Sequence, residues 1–99
     1  MKQSFTVEGA LLGDDREVLG EIERAIIASR VKKCKWRTEM VVTYYDDGIS
    51  PPNKDFYRIN RLVSLALRNE GIAERVYVVA SVFIGRSRPH ILVELEDMA

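Results

Sequence analysis

Residues Val76-Tyr77-Val78-Val79-Ala80-Ser81-Val82-Phe83-Ile84 form a nearly unbroken apolar run. The run is β-branched and aromatic, and apolar at both alternating sets of positions. That composition predicts an interior strand over residues 74–84, covered on both faces. At nine residues it is about half of the ~20 that a membrane-spanning helix needs. Gly85-Arg86-Ser87-Arg88-Pro89 then reads as a short turn. His90 to Glu96 reads as a last strand, with Ile91, Val93 and Leu95 inward and Glu94 and Glu96 outward. A connection this short predicts an antiparallel hairpin of the two strands.

Four more elements precede them. Residues 4–12 alternate Phe5, Val7 and Leu11 with Thr6, Glu8 and Ala10, the period-two pattern of a half-buried strand, and Gly9 marks a bulge within it. A helix is predicted from Asp14 to about Val31. Asp14 and Glu17 fit a capping box, and Val18, Ile22, Ala25, Ile26 and Ser29 recur at helical spacing. Acids crowd its first turns (Asp14, Asp15, Glu17, Glu21, Glu23) and bases its end (Arg30, Lys32, Lys33). Both placements suit the helix dipole. Residues 35–45 predict a strand, with Trp36, Thr38, Met40, Val42 and Tyr44 inward. Lys35, Arg37, Glu39, Val41, Thr43 and Tyr45 face outward. Asp-Gly and two prolines make residues 46–53 a loop. A second helix follows over 53–70, its core face Phe56, Ile59, Val63, Ala66 and Leu67, with Gly71 as its stop. The order β-α-β-α-β-β predicts one α+β domain over residues 1–99. Its four-stranded sheet is mixed or antiparallel, with two helices packed on one face.

Charge and cysteine content narrow the function. Fifteen Lys and Arg balance fifteen Asp and Glu, which argues against a general polyanion-coating protein. The single cysteine, Cys34, excludes an internal disulfide. It reads as a half-buried strand residue, although Lys32, Lys33 and Lys35 would lower its pKa if it were exposed. A free thiol and the absence of an apolar leader behind Met1-Lys2-Gln3-Ser4 point to the cytoplasm, and no segment is suited to a membrane.

The basic residues are the first candidates for a site. Arg30, Lys32, Lys33, Lys35 and Arg37 lie in a segment without an acid. The second helix carries Lys54, Arg58, Arg61 and Arg68 on the side opposite its core face, with Leu65 among them, and the turn adds Arg86 and Arg88. Clustered bases bind phosphates, and Trp36, Tyr45 or Tyr57 offer stacking. The plain alternative is a solvated helix end and a solvated helix face.

Asp46, Asp47 and Asp55 are second candidates. Carboxylates at a strand end can hold Mg²⁺, but Asp-Asp-Gly is also ordinary turn chemistry. His90 is the only histidine and is expected to be solvated. Tyr44, Tyr45, Phe56 and Tyr57 either line a small pocket or rim the core. No nucleotide-binding or nucleophile-elbow motif is present, and no cofactor is expected.

These readings favour a small non-enzymatic binding or regulatory protein of the cytosol. Its partner is expected to be another protein, or a second copy in a homodimer, met through a charged surface. The alternative is nucleic-acid binding through the 30–37 segment, the second-helix stripe and the 86–88 turn. A third reading is a small hydrolase or nuclease using Asp46, Asp47 and His90.

Overall fold

The computed structural model describes residues 2–8, 13–48 and 53–98, the side chains of 53–55 excepted. The elements are β1 (Lys2–Glu8), α1 (Asp15–Ala28), β2 (Arg37–Asp46), α2 (Asn53–Asn69), β3 (Arg75–Gly85) and β4 (His90–Asp97). They form an α+β fold with one mixed four-stranded sheet in the order β1-β4-β2-β3. The bulge expected at Gly9 lies outside the described residues.

The helix caps follow the sequence. Asp14 lies outside α1 with extended backbone, and its carboxylate accepts from the Glu17 N–H at 2.9 Å. The helix stops at Ala28, short of the expected Val31, because Arg30 takes a left-handed conformation at φ 52°. Gly71, at φ +69°, turns the chain after α2, where any side chain would be strained.

The expected hairpin is not formed. β3 pairs parallel with β2, and α2 is the crossover that a parallel neighbour requires. β4 then passes to the other side of β2 and pairs antiparallel with it and with β1. The connection over residues 86–89 is long enough to step across one strand, so its shortness did not fix the neighbour. β4 is therefore central, and β3 is an edge rather than interior.

The core lies between the two helices and one face of the sheet. Phe5 and Val7, Ile91, Val93 and Leu95, and Thr38, Met40, Val42 and Tyr44 are buried from the sheet side. Val18, Ile22 and Ile26 of α1 meet Ile59, Leu62, Val63, Ala66 and Leu67 of α2 above them. Trp36, expected inward, precedes β2 and is 60% exposed. Thr43, expected on the surface, is buried where Leu92 and Val82 flank it across the strands. Cys34 is buried in the connection before β2, its backbone N–H donating to Ile72 O at 2.7 Å.

Candidate functional site

Among the described residues no helix lies on the sheet's second face. The strand register places Tyr77, Ala80, Val82 and Ile84 of β3 on it, beside Glu39, Val41, Thr43 and Tyr45 of β2, and Val79 lines a groove with Glu39 and Val41. His90, Leu92, Glu94 and Glu96 of β4 continue it. Met40 pairs with Val78 and Val41 with Ala80, so Val79 is an extra residue that breaks the ladder in mid-strand. Of the β3 side chains, Tyr77, Val78, Val79, Val82 and Ile84 are each 41–54% exposed. A long apolar edge strand left uncovered is a site for association with another chain.

Charges of both signs lie at each end of this face. The end where β2 and β3 start carries Glu39, Glu94 and Glu96, with Lys2 on Glu96 at 3.8 Å and Arg37 on Glu39 at 3.6 Å. The Arg37 guanidinium also lies 5.4 Å from the Tyr77 ring centroid. Lys2, Glu39, Val41, Val79, Glu94 and Glu96 line a groove of about 290 Å³ there. At the other end the His90 ring stacks on Tyr45, with centroids 4.3 Å apart, and its Nδ1 is 2.7 Å from Arg88 O. His90 is thus half-buried rather than a solvated ring. Arg86 and Arg88 sit beside it in the β3–β4 connection, which is tied to β2 by Ser87 N–H donating to Asp46 O.

The basic candidates do not fall together. Arg30, Lys32, Lys33, Lys35, Arg37 and Arg68 lie near the end where β2 and β3 begin. Arg58 lies toward the start of α2 and Arg86 and Arg88 follow β3, at the opposite end. The Lys54 side chain is outside the described residues. Arg58 Nε donates to Asp15 at 2.6 Å and Arg61 reaches the same carboxylate at 3.2 Å, so part of the stripe fastens α2 to α1. Lys33 and Arg68 share a depression of about 330 Å³ with Gly71, Ala73 and Glu74.

The remaining candidates have local partners. The Asp47 side chain and the Gly48 N–H hydrogen-bond the Asp46 carboxylate and hold its pKa below the usual value, as a turn does. Among the described residues no group of three or more His, Cys, Asp or Glu could hold a metal ion. Burial pushes the Cys34 thiol up, and Asp97 adds to the shift. Tyr44 meets Phe56 edge-on at 4.5 Å, and its hydroxyl lies 2.7 Å from Asn60 Oδ1. These rings rim the core, while Tyr57 stands in solvent. Among the described residues no helix is long and apolar enough to cross a membrane.

Sequence reasoning missed the β3 face, because an apolar run reads as interior by composition. The one available signal was the two arginines bracketing it, Arg75 and Arg86, which mark both ends as solvent-facing.

No known protein family matches this chain, and no curated protein matches it. Among solved structures it is similar to a chain of the HypE–HypF complex, with 13% identity and a TM-score of 0.47 over 96% of this chain and 31% of that one. It is also similar to thiamine monophosphate kinase from Aquifex aeolicus, with 14% identity and a TM-score of 0.48 over 95% of this chain and 32% of that one. The chain thus spans about a third of each.

Proposed function

We propose that this is a non-enzymatic protein-binding module of the cytosol, whose partner docks on the helix-free sheet face at β3. The carrying observation is the uncovered apolar side of that strand, Tyr77, Val79, Val82 and Ile84. At roughly 25 cal/mol per Å², covering such side chains drives association of proteins in water. The charged residues at the two ends of the face select and orient the partner more than they hold it. The free, buried Cys34 supports a reducing compartment.

A photo-crosslinking amino acid at position 82 tests this in cells that express the protein naturally. A discrete protein adduct is expected at position 82 and none at Arg24, exposed on α1. Equal labelling at the two positions, or none at 82, overturns the reading.

A further inference from the structure

The partner can be narrowed from the way charge and apolarity are laid out on the face. Resting on the reading above, we propose that its occupant is a second copy of this chain, stacked face to face with its strands running antiparallel to the first.

Three features of the face support this. The first is its size. Four strands ~4.8 Å apart, each with about eight residues at ~3.3 Å, give a flat footprint of about 500 Å² per copy. A pair buries about 1,000 Å², the area at which a specific interface becomes credible. Pairing along the β3 edge alone, 11 residues long, covers less of each copy.

The second is the position of the apolar side chains. They concentrate on β3 and on Val41 of β2, at one side of the face, while Lys2, Ser4, Thr6 and Glu8 of β1 occupy the other. A two-fold axis parallel to the strands would set β3 over the polar β1 of the second copy. An axis lying between the sheets and perpendicular to the strands sets β3 over β3 and β1 over β1. Only the second choice covers apolar with apolar.

The third is charge, and it selects the same axis independently. Along β4 the face runs from His90, beside Arg86 and Arg88, to Glu94 and Glu96, beside Glu39, and β1 runs in the opposite sense, from Glu8 paired with His90 to Lys2 paired with Glu96. The perpendicular axis inverts the second copy end for end. Lys2 then lies over Glu8 of the second copy, and the reverse holds by symmetry. In register terms Glu96 falls over His90 of the second copy, and Tyr77 over Ile84 of the second copy. The parallel axis would set β4 over β2 at the same level, and Glu96 over Glu39 of the second copy. Glu94 and Glu96 also keep the face from accepting indiscriminate apolar partners.

Mass and charge exchange test it. Native mass spectrometry of the purified chain is expected to give twice 11.3 kDa at micromolar concentration. Val82→Asp is expected to give monomer with an unchanged far-ultraviolet circular dichroism spectrum. Arg88→Glu and Glu96→Arg are each expected to weaken the dimer about tenfold at ~50 mM salt, and less at ~500 mM, where the charges are screened. The double variant Arg88→Glu/Glu96→Arg restores it. A folded Val82→Asp dimer overturns the face, and a double variant no tighter than either single overturns the end-for-end arrangement. A monomer that still gives a discrete crosslink at position 82 overturns the second copy as occupant and leaves protein binding standing. Loss of both removes the two readings together.

Discussion

Gln3 and Lys32 exchange two hydrogen bonds. The Gln3 side-chain amide donates to Lys32 O at 2.9 Å and accepts from Lys32 N–H at 2.7 Å. A β1 side chain thus does what a neighbouring strand would do, and it fixes the backbone of the basic connection between α1 and β2. The same amide lies 3.5 Å from Cys34 Sγ. Gln3→Ala removes both bonds from a partly exposed site and is expected to cost about 1–2 kcal/mol. It also loosens the cover of the thiol, so Cys34 is expected to react faster with a thiol reagent. Denaturant melts and labelling rates of the two proteins check both effects.

Asp15 holds Arg58 and Arg61 against the first turn of α1, and Arg58 also donates to Gly13 O. Asp15 is more than half exposed, so the pair is screened by solvent. A double-mutant cycle on Asp15→Asn and Arg58→Gln is expected to give a coupling of about 0.5–1 kcal/mol, smaller at high salt. No coupling would mean the pair contributes nothing to docking the helices.

Glu23 of α1 faces Glu70, which follows α2. Desolvation first, then the hydrogen bond and the charge of Glu70, raise the Glu23 pKa. A group raised on folding favours the native state in acid, and that advantage is lost as pH rises through its raised value. Glu70→Gln removes the repulsion. Its melting temperature is expected to exceed the parent's at neutral pH, with the gap closing below the ordinary glutamate pKa. A gap that does not change with pH would refute the pairing.

The bases proposed for phosphate contact lie at opposite ends of the sheet, and Arg58 and Arg61 are engaged by Asp15. No continuous track joins them among the described residues. Random DNA and RNA are therefore expected not to bind at micromolar protein and ~50 mM salt, where phosphate contacts are strong. A salt-dependent shift in fluorescence anisotropy under those conditions would reinstate nucleic acid as a partner.

The chain's local signals translated well into elements. The Asp14 cap, the helical spacing of Val18, Ile22 and Ile26, and the alternation of Ile91, Val93 and Leu95 carry their structure in a few neighbouring residues. Neighbour choice in the sheet was not legible, because it depends on which strands are far apart in sequence yet adjacent in space. An apolar run such as 76–84 satisfies an interior position and an interface equally well, and composition cannot separate them. Among the basic candidates, the arginines held by Asp15 could not be told from free ones, since the contact joins two helices 43 residues apart at Arg58.

The placement of β4 has a consequence for biosynthesis. Of the six elements described, the last to leave the ribosome is the one that must slide between β1 and β2, both of which emerge earlier. Until then the nascent chain can complete only the β2-α2-β3 crossover, while β1 waits without its hydrogen-bonding neighbour. Translation that stalls before residue 90 would release an open half-sheet, with two raw strand margins where the finished molecule has a sealed seam.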